Sequence, residues 1–449
     1  MAVCNVIRSS ELQRESKLVA EFYQKERTDT EAELRRISTS RIRDMFIERK
    51  EIINPNAITE NHRVFDLGDS KSQILRYSLT MDSPDYFSTK KRAYEGDFII
   101  SRLRSYLREM AVVPRADYVT TLSTEYLVFY SKSNTQVKIL LPFSLSNYVQ
   151  RILKWSQTGN EHPRFDVTTY KNIFVPSDLV AKSEEISNKI DAALSEYEKS
   201  EQIINDAVKR IENELKIVPP IVDDIGYIVS ASEINNSKRL DSDYHHPKFA
   251  SMIESILGYK NGTRPLARIS TQKTPNFDRR DKNGFVDYIE IGDIDVFNGE
   301  YSTNSLHVKD LPANAKITLD GGELLISKVR PTRGAITIIA RDLQNKTVAS
   351  GAFYVCSVDN SEYREIVWIY LRLITALFEK FCTGTSYPTI DSRYISELPI
   401  PNFCPLLARE IHNEVNQAIL HRKNAQVELN KTVEYVETII REAEKNENK

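Results

Sequence analysis

At 449 residues the chain has room for two or three domains, and a composition of 41% hydrophobic and 28% charged residues excludes a disordered polymer. No apolar run approaches the ~20 residues of a membrane span and the first residues lack a signal-peptide core, so a cytoplasmic protein is expected. Net charge is −2, but residues 41–176 hold 20 Lys and Arg against 15 Asp and Glu, residues 177–220 hold 6 against 10, and residues 238–403 hold 21 against 20. Basic charge is thus concentrated in the first globular block. Cys4, Cys356, Cys382 and Cys404 are scattered without CxxC spacing, which argues for buried thiols in a reducing compartment and against a zinc site.

Taken from the start, the sequence repeats itself. Ile7-Arg8-Ser9-Ser10-Glu11 resembles Val229-Ser230-Ala231-Ser232-Glu233, and Leu18, Glu21 and Phe22 fall on Leu240, Asp243 and Tyr244, both at a shift of 222. Phe65-Asp66-Leu67-Gly68-Asp69 matches Ile289-Glu290-Ile291-Gly292-Asp293 at 224. Residues 96–104 (GDFIISRLR) match residues 322–330 (GELLISKVR) at 226. Thr158-Gly159, Pro163, Asp166 and Pro176 match Thr383-Gly384, Pro388, Asp391 and Pro401 at 225. Five matches in one order, with a shift that drifts as loop insertions make it drift, indicate a tandem duplication. Within each copy, residues 96–113 read as strand, loop, strand, and residues 144–155 and 362–381 read as helices that end before a Thr-Gly turn.

Each copy closes on a long amphipathic run. Residues 184–216 place Ile186, Ile190, Leu194, Tyr197, Ile204, Val208, Ile211 and Leu215 at alternating intervals of four and three, with Glu201 in the open slot. Residues 411–443 repeat this with Ile411, Val415, Ile419, Leu429, Val433, Val436 and Ile440, with Gln426 over Glu201 and Arg422 against Tyr197, all at a shift of 225. That is the 3.5-residue period of helices that wind together. Pro219-Pro220 ends the first run. The expected fold class is α/β: two similar mixed α/β domains joined by two long helices that form an antiparallel coiled coil with pseudo-twofold symmetry.

Signatures of catalysis are missing. There is no GxxxxGK[ST], HExxH or GxSxG. Asn54-Pro55-Asn56 lacks the aromatic of an amino-methyltransferase motif, and Pro84-Asp85 with Glu95-Gly96-Asp97 lacks the lysine of a nuclease motif. His245-His246 has no further ligands at metal-site spacing, so no metal is expected.

Binding signatures are stronger. Ser101-Arg102-Leu103-Arg104 and Ser327-Lys328-Val329-Arg330 set cations at alternate positions after an apolar strand, which strand geometry would turn to one side. Arg108 and Arg333 continue that edge, and Lys90-Lys91-Arg92 lies upstream. Arginine grips phosphate and pairs in bidentate fashion with guanine; the alternative is a strand edge that its lysines keep from aggregating. The loops Thr158-Gly159-Asn160-Glu161-His162-Pro163-Arg164 and Thr383-Gly384-Thr385-Ser386-Tyr387-Pro388-Thr389 combine glycine with short hydroxyl residues that let a backbone approach a phosphate or base edge. Their alternative is a helix C-cap with a turn.

Together these residues resemble the specificity (S) subunit of type I restriction–modification systems. The resemblance rests on the paired GD/GE-apolar-IS-R/K-x-R segments, the TGT-like loop before Pro-x-I/F-D, the LPIP-like exits at 398–401 and 173–176, and the lead segment 239–248. It covers nearly the whole chain, although Ser105-Tyr106 stands where Pro331-Thr332 keeps the usual proline, and an acid, Glu161, stands in the first loop. It implies target recognition domains at 1–177 and 219–403, a central spacer helix at 178–218 and a C-terminal spacer helix at 404–449. The seam would be carried by Ile190, Leu194, Ile204, Val208, Ile211, Leu215, Val415, Ile419, Leu429, Val433, Val436 and Ile440. The implied contacts to double-stranded DNA are Arg102, Arg104, Arg108, Thr158, Asn160, Arg164, Lys328, Arg330, Arg333, Thr385, Ser386 and Tyr387. The implied role is a non-catalytic subunit that reads a bipartite target and docks two methyltransferase subunits and motor/nuclease subunits. S-adenosylmethionine, ATP and Mg would sit on those partners, with no cofactor on this chain. The rival readings are a self-sufficient restriction or modification enzyme and a coiled-coil adaptor that binds protein alone.

Overall fold

The computed structural model describes residues 19–59, 61–70, 73–75, 88–220, 226–278, 284–296 and 298–447. The repeat element at residues 7–11, Leu18, Cys4 and Pro84-Asp85 lie outside the described residues. The chain divides into two compact units, one of Met1–Lys199 with His421–Lys449 and one of Ser200–Leu420, so each long helix contributes to both.

In the first unit the apolar run Phe98–Ser101 is the third strand of a four-stranded antiparallel sheet, after Phe46–Glu48 and Tyr126–Ser131 and before Met110–Val112. Residues 96–113 thus form the expected strand, turn and strand, with Phe98 opposite Val112 and Ile100 opposite Met110. Side chains alternate across a strand, and here both faces are covered. Phe98, Ile100, Val112 and Phe129 face a layer of helices through Val149, Ile152 and Leu153, whereas Ile99, Ala111 and Val128 face Phe65 and Leu122 of a second sheet. A strand buried on both sides reads as an unbroken apolar run. The second sheet is mixed: His62–Phe65 runs parallel to Val119–Leu122, and Lys90–Arg92 pairs antiparallel on the other side.

The second unit repeats this layering. Leu324–Ser327 lies between Phe353–Val358 and Ile336–Ile338, with Leu324 and Ile326 turned to the helices and Leu325 to the second sheet. In that second sheet Phe285–Ile289 runs parallel to Thr347–Ser350, which Ala315–Leu319 flanks antiparallel. The fourth strand differs. Ile52–Ile53 pairs with Lys90–Arg92 in the first unit, but in the second Asn304–His307 pairs on the opposite side, with Phe285–Ile289.

Two helical expectations need correction. Residues 144–155 are not one helix: Leu140–Leu145 ends at Ser146, whose extended backbone breaks the run and whose hydroxyl caps Asn147–Lys154 by accepting from the Val149 amide. Similarly, Arg364–Leu373 is α-helical, while Thr375–Phe381 winds more tightly as a 3₁₀ helix. The thiols also divide: Cys356 is buried, Cys382 partly so, and Cys404 is exposed.

The long helices span Ser183–Leu215 and Pro405–Glu447. No described helix is long and apolar enough to cross a membrane. The first helix buries Ser183, Ile186, Ser187, Ile190, Ala193, Leu194, Tyr197, Ser200, Ala207, Ile211 and Leu215. The second buries Ala408, Ile411, Val415, Ala418, Arg422, Ala425, Leu429, Thr432, Val436, Ile439, Ile440 and Ala443. The 3.5 period is present, with Ile190, Leu194, Ile211, Leu215, Val415, Leu429, Val436 and Ile440 buried as expected, but small residues fill several of its slots. Ser200 is buried rather than Glu201, Ala418 rather than Ile419, Ala425 rather than Gln426, and Ala207 and Thr432 lie deeper than Val208 and Val433. Ile419, expected in the seam, is 48% exposed. Counting only large apolar residues picks the neighbour of a buried alanine. In the first unit the two helices run in opposite directions, since Tyr435 donates to Glu185 (2.9 Å) and His421 meets Glu196 (2.7 Å).

Candidate nucleic-acid interface

Each central strand ends in the same small structure. Beyond Ser101 the chain bridges at Leu103 to Arg164, and beyond Ser327 it bridges at Val329 to Thr389. The serine hydroxyl donates to the carbonyl two residues on, Leu103 O at 3.2 Å and Val329 O at 2.7 Å. Arg104 and Arg330 then adopt left-handed backbone conformations, φ 48° in both, and each starts a 3₁₀ turn. Such φ values are uncommon for residues with a Cβ and cost about 1–2 kcal/mol. The arginine amide is tied to a proline carbonyl across the hairpin, Arg104 N to Pro163 O at 2.8 Å and Arg330 N to Pro388 O at 2.7 Å.

The hairpins are Gln157–Thr158 with Arg164–Phe165 and Cys382–Thr383 with Thr389–Ile390. Gly159 (φ 99°) and Gly384 (φ 88°) turn them. A Cβ on Gly159 would lie 3.3 Å from His162 O, and one on Gly384 would lie 3.4 Å from Tyr387 O, so the tight turn uses the freedom that only glycine has. The expectation that Arg102 with Arg104, and Lys328 with Arg330, face one side of a strand is therefore wrong. The strands stop at the serines, and the left-handed turn sends the second cation to the hairpin tip.

In the first unit Arg104 Nη2 reaches Glu161 O and His162 Nδ1, each at 3.2 Å. Arg102 and Arg164 instead converge on one carboxylate, Glu125. Arg164 Nε and Nη2 donate to Glu125 Oε1 at 3.0 and 2.7 Å, its Nη1 donates to His162 O at 3.0 Å, and Arg102 Nη2 reaches Glu125 Oε2 at 3.3 Å. The Arg164 hydrogen bonds hold the Glu125 carboxyl below its ordinary range, against the opposing effect of burial.

In the second unit Arg330 Nη2 reaches Ser386 O at 3.3 Å, and its guanidinium lies 4.5 Å from the centre of the Tyr387 ring, which is 68% exposed. Lys328 takes the place of Arg102. It is half-buried, and desolvation lowers its ammonium pKa despite the nearby Asp391. Asp391 caps the helix Ser392–Ser396, as Asp166 caps Val167–Lys171. Arg239 ties the lead segment to the base of this hairpin: it pairs with Asp241, donates to Cys382 O (2.9 Å) and stacks on Tyr244 and Tyr394. His245 and His246 bond to the chain itself, His245 Nε2 with Arg239 O (2.9 Å) and His246 Nδ1 accepting from Lys248 N (3.1 Å).

The structure therefore brings Arg102, Arg104, Thr158, Asn160 and Arg164 to one hairpin and turn, and Lys328, Arg330, Thr385, Ser386 and Tyr387 to the other. Thr158, Asn160, Thr385 and Ser386 are exposed. Arg108 and Arg333 are exposed too but are not equivalent: Arg108, itself left-handed, occupies the place of Gly334, one residue past Arg333. Sequence reasoning passed over Glu125, His162 and the exposed Tyr106. Tyr106 sits inside the Ser105–Leu107 turn at the departure from proline, which was its one signal.

The architecture is a mixed α/β fold of several small sheets and long helices. No family model matches the chain, and no curated protein does. Among solved structures, a type I restriction–modification S subunit from M. genitalium aligns over 90% of this chain and 95% of its own at 12% identity and a TM-score of 0.38. The HsdS subunit from Thermoanaerobacter tengcongensis aligns over 90% and 95% at 14% identity and a TM-score of 0.28. A chain from a structural study of type I R-M complex assembly and conformational transition aligns over 90% and 96% at 13% identity and a TM-score of 0.30. Likeness at this level assigns no activity to this chain.

Proposed function

We propose that the chain is a non-catalytic DNA-recognition subunit of the type I restriction–modification kind, in which each unit reads one half of a bipartite duplex target. One observation carries this reading: an arginine in a strained left-handed conformation, with its guanidinium on a hairpin tip, occurs at the same place in both units. Glycine would relieve that strain, and a turn needs no guanidinium. Strain kept at matching positions is what a binding site tolerates and a plain turn does not. The side chains around the two arginines differ, His162 in one unit and Tyr387 in the other, as two different half-sites require.

On this reading the two long helices pair as an antiparallel coiled coil that relates the units by a pseudo-twofold axis and sets the gap between half-sites. Their outer faces dock two methyltransferase subunits, and motor/nuclease subunits complete a cytoplasmic complex. S-adenosylmethionine, ATP and Mg belong to those partners. Methylome mapping of the source cell with and without this gene tests the proposal. A split methylated motif is expected to vanish with the gene, whereas an unchanged methylome rejects the reading. Arg104→Ala is expected to relax one half of that motif and Arg330→Ala the other, each by roughly 10- to 100-fold, the worth of one good base contact.

A further inference from the structure

The two hairpins differ in one ionic feature, and the register identifies it residue by residue. Arg102 N donates to Glu125 O, and Lys328 N donates to Ala352 O, so Glu125 corresponds to Ala352. The isolated bridges make Arg164 correspond to Thr389. The cluster of Arg102, Glu125 and Arg164 in the first unit thus corresponds in position to Lys328, Ala352 and Thr389 in the second. The carboxylate and the second arginine are present together or absent together.

We infer that Glu125 is a positioning residue for the first reading hairpin: it withdraws Arg102 and Arg164 from the DNA and fixes Arg104 with His162 as the pair that reads. This rests on the proposed DNA-recognition role and adds to it which of the first unit's cations touch DNA. The geometry supports the division of labour. Arg164 commits Nε and Nη2 to Glu125 and Nη1 to His162 O, which leaves it few donors for a base edge. Its hold on the His162 carbonyl in turn sets the imidazole against Arg104. Among the described residues Arg104 has no carboxylate partner, and its bonds to Glu161 O and His162 Nδ1 both use Nη2, which leaves Nε and Nη1.

Removing the carboxylate would release two cations beside the DNA. Phosphate contacts add affinity without sequence information, so discrimination should fall as nonspecific binding rises. The test uses the full chain, with methyltransferase subunits present, on a pool of duplexes with both half-sites randomised. Glu125→Ala is expected to lower discrimination at the first half-site about tenfold and leave the second unchanged. The salt dependence of nonspecific binding should steepen by about 1–2 in log–log slope, since each neutralised phosphate contributes about 0.9. Adding Arg164→Thr, the second unit's own residue, should take back about half of that increase. Glu125→Gln, which keeps the shape and loses the charge, should fall between wild type and alanine.

Equal loss at both half-sites, or loss of specific and nonspecific binding together with a lower Tm, would mean that Glu125 only supports the fold. First-site discrimination within twofold of wild type would overturn the inference while the recognition role stands. A wild-type chain that selects no sequence at all would remove the recognition role itself.

Discussion

The two units solve the same packing problem with opposite chemistry at one helix start. In the first unit the 3₁₀ turn Val137–Ile139 leads into Leu140-Leu141, both fully buried. In the second the matching turn Ser361–Tyr363 leads into Arg364-Glu365, also buried, with Glu365 paired to Arg364 and to His412 Nδ1 at 2.6 Å on the second long helix. A leucine pair fills this place without any requirement on its neighbours. An ion pair there must be complete, because a buried charge without its partner costs several kcal/mol. The difference teaches that a duplicated scaffold holds its backbone path while its interior chemistry drifts. The hairpins show the same separation, with one backbone course and two sets of side chains.

The strongest way to break this comparison is to remove half of the buried pair. Glu365→Ala is expected to destabilise the second unit by about 3–5 kcal/mol, since it strands Arg364 and His412. The double variant Arg364→Leu with Glu365→Leu, which installs the first unit's solution, should recover most of that loss. Denaturant unfolding with hydrogen exchange resolved by unit measures both. A leucine pair as damaging as the single alanine would show that the two helix starts are not interchangeable.

A smaller effect separates two seam positions that the sequence pairs at a shift of 225. Leu194 is 8% exposed and belongs to the first unit's core, while Ile419 is 48% exposed beside the buried Ala418. Leu194→Ala should cost about 2–4 kcal/mol, and Ile419→Ala should change stability by no more than about 0.5 kcal/mol. Equal losses in thermal unfolding would restore Ile419 to the seam.

What was legible in the sequence follows from which signals are local. Strands buried on both faces appear as apolar runs, so 96–113 and its copy could be read directly, and the Thr-Gly turns marked both hairpins. The period of the long helices was also legible. Most of its seam was too, since Ile190, Leu194, Ile211, Leu215, Val415, Leu429, Val436 and Ile440 are buried as expected; the slots it missed are those where Ala418, Ala425 and Thr432 carry too little hydrophobicity to stand out from larger neighbours. The break at Ser146 was missed because a serine that ends one helix and caps the next looks like any polar residue in a helical pattern. The candidate site was legible at the level of which segments meet. Arginine announces no left-handed turn, so the course of Arg104 and Arg330 was hidden. Glu125 lies 23 residues from Arg102 and 39 from Arg164 in the chain, and only the fold assembles that cluster.

The finest contrast between the units is in their response to acid. Hydrogen bonds from Arg164 depress the Glu125 carboxyl, so its ion pairs stabilise the first unit fully above the unfolded carboxyl value of about 4.3. That contribution fades as pH falls through the lower folded value, where the folded state must take up the proton. Ala352 leaves the second unit without an equivalent. The cluster is partly open to solvent, which limits its worth at neutral pH to about 0.5–1 kcal/mol. Wild type and Glu125→Ala should therefore differ by that amount in unfolding free energy at pH 7 and converge once the pH has fallen below the depressed folded value of the Glu125 carboxyl. Other carboxylates titrate in both proteins and cancel in the difference. A gap that persists unchanged into acid would assign the stabilisation to packing of the glutamate side chain, and the first hairpin would then owe its position to shape and not to charge.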